Sequence, residues 1–261
     1  MERETIEQID ARVYDMTEIQ TDDISLIKTH VIDERQNLKI FEPFCGTGRI
    51  GIPLIRDGHE YCGMDISPET LQRFRMKLEG DRVDRSRCAL LEGNVLREEW
   101  PANNDVVILG GNCFYTLSSA MDQQLCVTKA FECLEPGGTV FIDSDHMEGP
   151  LSDAWKNLDS VRRKTVEGID EDGSKLVTFC EVVSSDSAQR ITTFRYTLLC
   201  VAKDGSSYGK QFLWQKHPVK MLEVESWIEE AGFHIEYTFG NHQGNPYSED
   251  SDKAIFIAHK S

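Results

Sequence analysis

The segment between Ile40 and Gly51 constrains the fold of this chain most, because a short apolar run leads directly into a glycine-rich turn. Gly46, Gly48 and Gly51 satisfy the pattern G-x-G-x-x-G, and a second apolar run follows the turn. Glycines at such a turn tolerate positive φ and let a ligand approach the backbone closely. The segment therefore predicts a strand, a ligand-binding loop and a helix in succession. An ordinary strand-to-helix turn is the alternative interpretation of the same residues.

Short apolar runs and helical repeats alternate along the first half of the chain. We predict strands at Leu38–Phe44, Glu60–Asp65, Cys88–Gly93, Val106–Gly110 and Thr139–Asp143. Helices are predicted between most of them, at Ile50–Arg56, Pro68–Leu78 and Ser119–Leu134. Ser67 supports the second helix, because a serine followed by proline is a favourable N-terminal cap. Such alternation is typical of a parallel sheet with helices on both faces.

The N-terminal region and the region after Met147 follow different patterns. Helical spacing over Thr5–Tyr14, and again from Thr21 through Val31, predicts a helical lid over residues 1–34. Three extended segments joined by polar turns predict an inserted antiparallel β meander. These segments are Val161–Glu167, Lys175–Ser184 and Ile191–Ala202.

The last part of the chain returns to the first pattern. Val219–Ala231 has helical spacing, and Phe233–Phe239 and Ala254–His259 are predicted to be strands that form a hairpin. We therefore predict a core over residues 35–147 and 216–261, with an insertion over residues 148–215.

Charge and cysteine usage narrow the class of partner and the compartment. The chain has 261 residues and a formal net charge of −17, whereas nucleic-acid affinity comes largely from phosphate neutralisation by lysine and arginine. We therefore expect no nucleic-acid partner and no binding to an anionic membrane. No stretch approaches the roughly 20 apolar residues of a membrane-spanning helix. Eight scattered cysteines without a C-x-x-C pair indicate a reducing, cytoplasmic compartment and no metal site.

Further motifs surround the glycine loop in a fixed order. Glu42 lies four positions before Gly46. The other motifs are Gly63–Ser67, Glu92–Val95, Asp105–Leu109, Leu134–Val140 and Ala231–Phe233. In this order they resemble the motifs of class I S-adenosylmethionine (SAM)-dependent methyltransferases, over roughly residues 38–143 and 219–259. The resemblance implies an α/β fold, a doubly wound Rossmann-like sheet of seven strands with a reversed terminal hairpin, and SAM as the cofactor.

The resemblance also implies which residues hold the cofactor. Asp65 would bind both ribose hydroxyls, and Asn94 would lie beside the adenine, with an ordinary turn as its alternative role. Tyr14 is similar to a tyrosine that closes over the cofactor in many small-molecule methyltransferases, with a core aromatic as the alternative. The expected cofactor residues are Tyr14, Glu42, Gly46, Thr47, Gly48, Asp65, Ile66, Asn94, Val95 and Leu109.

The segments around the predicted acceptor site resemble the glycine N-methyltransferase branch. They are Gly110–Leu117, Pro136–Asp143 and the strand around Arg195–Thr197. By this resemblance Asn112 would hold an amino-acid-like acceptor. No counterpart of that branch's N-terminal arginine, which binds the cofactor carboxylate, is evident before Lys28.

Three further residues complete the expected substrate site. His146 follows the fifth strand, and a histidine side chain is a possible proton acceptor near neutral pH. His146 and Tyr115 are the candidate catalytic groups. A polar surface role is the alternative for His146. Side chains alternate along a strand, so either Arg195 or Tyr196 can point into the cleft, and we expect Tyr196. An interface between copies of the chain is the alternative role of the meander.

These residues together predict an enzyme that methylates a small molecule. An amine nitrogen is the expected acceptor, because a weaker hydroxyl nucleophile needs a stronger base than any that stands out in the sequence. One alternative is an NAD-dependent oxidoreductase that uses the same glycine loop. Another is a module that binds SAM without turnover.

Overall fold

The computed structural model describes residues 5–17, 19–81 and 83–261. Residues 1–4 and 18 of the predicted lid lie outside the described part. The strands are β1 Lys39–Pro43, β2 Glu60–Asp65, β3 Cys88–Glu92, β4 Asn104–Leu109, β5 Leu134–Ser144, β6 Arg163–Ile169, β7 Lys175–Asp186, β8 Ile191–Val201, β9 Ser207–Lys216, β10 Phe233–Phe239 and β11 Ala254–Lys260. The helices are α1 Ile6–Thr17, α2 Asp22–Ile27, α3 Gly51–Arg56, α4 Pro68–Gly80, α5 Ala120–Cys133, α6 Gly149–Lys156 and α7 Met221–Ala231.

Seven strands form the central sheet in the order β10-β11-β5-β4-β1-β2-β3. Neighbouring strands from β5 through β4, β1 and β2 to β3 run parallel. Strand β11 lies antiparallel between β10 and β5. This arrangement confirms the predicted doubly wound, Rossmann-like sheet and its reversed terminal hairpin. The carboxyl ends of β1, β2, β4 and β5 meet at one edge, where the glycine loop begins.

Two apolar cores sandwich the central sheet. Helices α2, α3 and α4 cover one face through residues such as Ile27, Leu54 and Phe74, which are completely or almost completely buried. Helices α5 and α7 cover the other face, where Val127 and Ile228 are fully buried. Because side chains alternate along each strand, the central strands supply apolar groups to both cores.

The insertion forms a second, antiparallel sheet in the order β6-β7-β8-β9. The sequence predicted three of these strands and missed β9, in which exposed residues alternate mostly with half-buried ones. It also missed α6, a helix of 8 residues that begins at a Gly-Pro pair. Helix α1 packs against this sheet through Ile9 and Val13.

The outer face of the second sheet is open to solvent. Leu199 and Leu213 lie there with 45% and 59% of their surface exposed. An interface between copies, the alternative role of the meander, stays a prediction. Within the part of the chain that the structure describes, every helix is too short or too polar to cross a membrane.

Candidate functional site

The glycine loop makes the tightest backbone turn of the site. Gly46 and Gly48 have φ of +56° and +83°, a region that L side chains rarely adopt. A Cβ at Gly48 would lie 2.3 Å from the ring of Phe74, and one at Gly46 would lie 3.4 Å from the ring of Tyr14. Packing against α4 therefore requires glycine at position 48, whereas at position 46 the positive φ favours glycine.

Asp65 ends β2 directly beside this loop. Its carboxylate accepts hydrogen bonds from the backbone amides of Gly46 (3.0 Å) and Ser67 (2.9 Å). Burial raises the pKa of Asp65, and these backbone hydrogen bonds oppose the shift. A carboxylate offers about four acceptor positions, so acceptor capacity remains for a ligand hydroxyl. The following residue, Ile66, exposes 67% of its surface. It offers an apolar surface on which a flat ring of a ligand could pack.

Ser67 fills the cap role that the sequence assigned to it. Its hydroxyl accepts from the backbone amide of Thr70 at the start of α4. Asp65 is therefore not needed to cap α4, and its remaining acceptor capacity can serve a ligand.

Glu42 lies at the carboxyl end of β1 with 4% of its surface exposed. The hydroxyl of Tyr61 donates a hydrogen bond of 2.5 Å to its carboxylate. Burial raises the pKa of Glu42 to about 8, against the opposing effect of this hydrogen bond. Removing an ion from water costs free energy, which is why burial raises the pKa of a carboxyl. A buried carboxyl with a raised pKa is a common feature of functional sites.

The raised pKa of Glu42 makes stability depend on pH. Between pH 4.5 and pH 8 the unfolded chain loses the Glu42 proton and the folded protein keeps it. The contribution of Glu42 to the free energy of unfolding is therefore fully present below pH 4.5 and is lost as the pH rises through 8. We expect Glu42→Gln to be about 1–2 kcal/mol more stable than the wild type at pH 8, less than the full shift implies, because glutamine buries two N–H donors.

Thermal melts at pH 5 and pH 8 measure this effect. The melting temperature of the wild type should fall more between these values than that of Glu42→Gln. Glu60→Gln is the matched control, because Glu60 is an exposed glutamate on β2. An equal fall in all three proteins would contradict the role of Glu42.

Helix α1 is fastened over the glycine loop through Asp15. Its carboxylate accepts from the hydroxyl of Thr47, from Arg73 at 2.8 Å and from Lys77 at 2.7 Å. Burial opposes ionisation, but these hydrogen bonds outweigh it and lower the pKa of Asp15. Tyr14, the neighbouring residue, is 43% exposed, so it is not a core aromatic and its ring lies against Gly46.

The side chains of the remaining predicted cofactor residues are buried or already bonded, so these residues could contact a ligand mainly through backbone atoms. Val95 and Leu109 are buried in the core, with 6% and 0% of their surface exposed. Thr47 is also buried, and its hydroxyl is bonded to Asp15. The side-chain oxygen of Asn94 accepts from the backbone amide of Leu96 (2.9 Å), which is the turn role that the sequence left open.

A polar network joins the ends of β4 and β5. The side-chain oxygen of Asn112 accepts from the amide of Asp145 (2.6 Å) and from Lys253 (3.1 Å). Lys253 also pairs with Asp145 at 2.7 Å and with Asp143 at 3.6 Å. Asn112 has φ of +58° and follows Gly111 at +63°, so a strained turn ends β4, as is frequent at functional sites. The amide nitrogen is the part of the Asn112 side chain that this network leaves for a ligand.

His242 belongs to the same network. Its Nε2 lies 3.1 Å from Asp143, which is 1% exposed. The hydrogen bond to Asp143 raises the pKa of His242, although burial acts in the opposite direction. Burial would raise the pKa of Asp143, but His242 and Lys253 outweigh it and lower that pKa. The charges that act on the imidazole are Asp143 on β5, Asp23 on α2 and Lys253 in the β10–β11 loop.

The expected catalytic histidine, His146, does not belong to this network. It is fully buried, and its ring nitrogens are bonded to Glu148 (3.1 Å) and to the carbonyl of Ser251 (2.6 Å). It therefore anchors the β10–β11 loop and presents no nitrogen to the cleft. Sequence placed His146 correctly after β5 but could not indicate that this loop folds over it.

Tyr115 and Tyr196, the two tyrosines expected at the acceptor site, lie in different packing environments. Tyr115 is 1% exposed, and its hydroxyl has no hydrogen-bond partner among the described residues. Tyr196 lies on the face of β8 that packs against α1, whereas Arg195 pairs with Glu181 at 2.6 Å. The alternation predicted for this strand is thus observed.

Two ionisable groups of the site carried no signal in the sequence. His242 lies in a loop without a motif, 99 residues from its partner Asp143. Arg49 follows the glycine loop and makes two hydrogen bonds, of 2.7 and 2.6 Å, with the buried Asp23 of α2. The G-x-G-x-x-G pattern leaves the Arg49 position undefined, so no local signal marked it.

Comparisons with known proteins agree with this fold. The family model described as a methyltransferase domain matches residues 34–223. A SAM-dependent methyltransferase from Clostridium acetobutylicum has a similar structure, with a TM-score of 0.78 and 11% identity over 98% of this chain and 99% of that one. The sugar N-methyltransferase KedS8 from Streptoalloteichus gives a TM-score of 0.73 and 14% identity over 100% of this chain and 96% of its own. The amino pentose methyltransferase CalS10 from Micromonospora echinaspora, solved with SAM bound, gives a TM-score of 0.68 and 15% identity over 100% of both chains.

Proposed function

The chain belongs to the methyltransferase domain family, and we propose that it transfers a methyl group from SAM to an amine nitrogen of a small molecule. The observation that carries the proposal is the pairing of the glycine loop with Asp65. The loop amide of Gly46 and the carboxylate of Asp65 are bonded to each other at the carboxyl edge of the sheet. In open α/β sheets ligands bind outside this edge.

The residues at this edge fit such a cofactor. Gly46 and Gly48 allow the positive φ of the loop beside Asp65, Asp65 has spare acceptor positions for ribose hydroxyls, and Ile66 offers an exposed apolar face. Glu42 supplies a buried carboxyl, which in its ionised form would accept a hydrogen bond from the cofactor's ammonium group. Tyr14, on α1, would close the site from above.

The cofactor supplies an activated methyl group, so the protein chiefly has to orient the acceptor and manage its proton. The acceptor would lie between the ends of β4 and β5 and the inner face of the second sheet. The amide nitrogen of Asn112, the hydroxyl of Tyr115 and the ring of Tyr196 are proposed to contact it. The sugar N-methyltransferase similar in structure supports an amine acceptor.

An ammonium acceptor must lose a proton before its nitrogen can attack. We propose that Nδ1 of His242 takes this proton, because Nε2 is already held by Asp143. No hydrogen bond from the described residues engages Nδ1. His242 thus replaces His146 as the proposed base, and Asp143 orients its ring.

Calorimetry tests the cofactor assignment directly. The protein should bind SAM and S-adenosylhomocysteine and should not bind NAD. Charge-assisted hydrogen bonds are worth about 1.5–3 kcal/mol each, so Asp65→Ala should weaken S-adenosylhomocysteine binding tenfold or more. Asp105→Ala is the matched control, because Asp105 accepts a backbone hydrogen bond (2.7 Å) from Lys39 at the opposite edge of the sheet.

Tight NAD binding without a response to either sulfur compound would support the oxidoreductase alternative instead. Screening a panel of amine metabolites for production of S-adenosylhomocysteine then identifies the acceptor. Cofactor binding without turnover of any amine would favour the binding-module alternative.

A further inference from the structure

Three aromatic rings meet around a single ammonium group beneath the second sheet. The Nζ atom of Lys216 lies 4.6 Å from the ring centre of Trp214, 5.8 Å from Phe194 and 6.0 Å from Trp155. A cation within about 6 Å of a ring face is attracted by the ring quadrupole. We call the three rings of Trp155, Phe194 and Trp214 the aromatic cage.

The cage is assembled from elements distant in the sequence. Phe194 and Trp214 are directly paired on β8 and β9, with ring centres 5.5 Å apart. Trp155 comes from α6 and packs edge-to-face on Phe194, at 6.3 Å. All three rings and Lys216 are partly buried rather than sealed in a core. A cation can therefore be partly desolvated there, the condition under which such contacts are strongest.

The cage adjoins a buried hydroxyl without a partner. Tyr115 packs edge-to-face on Trp155 at 5.6 Å, and its hydroxyl has no hydrogen-bond partner among the described residues. Burial raises the pKa of Tyr115, and the carboxylates of Asp145, Glu148 and Asp143 raise it further. Tyr115 thus lies in a negative field next to the cage. A buried unpaired hydroxyl costs free energy that a bound ligand recovers.

We propose that the aromatic cage binds a cationic ammonium group of the acceptor, and that Lys216 occupies it in the absence of acceptor. This inference rests on the proposed function and narrows its substrate class to small molecules that carry a positive charge. The net charge of −17 supports it, because a negative protein field attracts cationic ligands. When the acceptor enters, the ammonium of Lys216 moves out of the cage toward solvent.

Tetramethylammonium is the probe for the cage, since it has a permanent charge and no hydrogen-bond donor. Its binding is followed on the full chain by tryptophan fluorescence, because Trp155 and Trp214 lie in the cage. Lys216→Met removes the competing cation and keeps the side-chain length, so it should bind the probe about tenfold more tightly than the wild type. Trp214→Leu should weaken binding about fivefold or more.

Two controls separate the cage from general effects of charge. Lys210→Met removes another lysine of β9, which lies over Phe212 and pairs with Asp10, and it should leave probe affinity unchanged. The neutral molecule tert-butanol, similar in size to the probe, should give no saturable response. Wild-type affinity or no saturable response in Lys216→Met would overturn the proposal. Calorimetry with S-adenosylhomocysteine reports separately on the cofactor site, so failure of the cage is distinguishable from failure of the proposed function.

Discussion

Gly48→Ala should unfold about 5–15 °C below the wild type and lose most of its affinity for S-adenosylhomocysteine. The new Cβ would lie 2.3 Å from Phe74, whose ring is fully buried and has no space to move into. Overpacking of a core costs about 1–3 kcal/mol, and the φ of +83° adds about 1–2 kcal/mol of backbone strain. For a chain of this size each kcal/mol lowers the melting temperature by about 2–4 °C.

Gly58→Ala is the matched control for this prediction. Gly58 has a similar φ of +93°, but a Cβ there would meet nothing within 4 Å. The control therefore carries the backbone strain without the clash, and its melting temperature should fall by much less. Equal losses in the two variants would mean that conformation alone, and not packing against Phe74, requires glycine in the loop.

Local patterns predicted the central sheet because each of its elements is marked over a few residues. The glycine loop after β1 and the Ser67-Pro68 start of α4 both depend on neighbours in the sequence. The strand β9 was missed for the opposite reason. Its inward residues alternate with polar ones, but neither face is fully buried, so its hydrophobic periodicity is weak.

The candidate site divides in the same way. The proposed cofactor end, with Gly46 and Asp65, lies within two adjacent strand–loop units, so local motifs in family order could bring its residues together. The proposed acceptor end depends on the β10–β11 loop, which buries His146 and places His242 beside Asp143. These contacts join residues about 100 positions apart, and their geometry is set by tertiary packing that no local pattern encodes.

His242→Asn should lower kcat for the amine identified in the panel about 100-fold, with little change in the affinity for S-adenosylhomocysteine. Asparagine cannot take the proton that the acceptor nitrogen must lose, and general base catalysis typically contributes a factor of about 100 to 10,000. His234→Asn is the matched control, because His234 is an exposed histidine on β10. The control should retain wild-type turnover.

The pH dependence separates a base from a structural histidine. In the wild type kcat should rise with pH as His242 loses its proton, with a midpoint above the ordinary value of about 6.5. Asp143→Asn removes the negative charge that stabilises the imidazolium, so the midpoint should move to lower pH. Nuclear magnetic resonance titration of the imidazole, assigned by its absence in His242→Asn, should show the same shift without any cofactor present. A pH profile unchanged in Asp143→Asn, or full turnover in His242→Asn, would contradict the role of His242 as the base. The acceptor would then lose its proton directly to solvent.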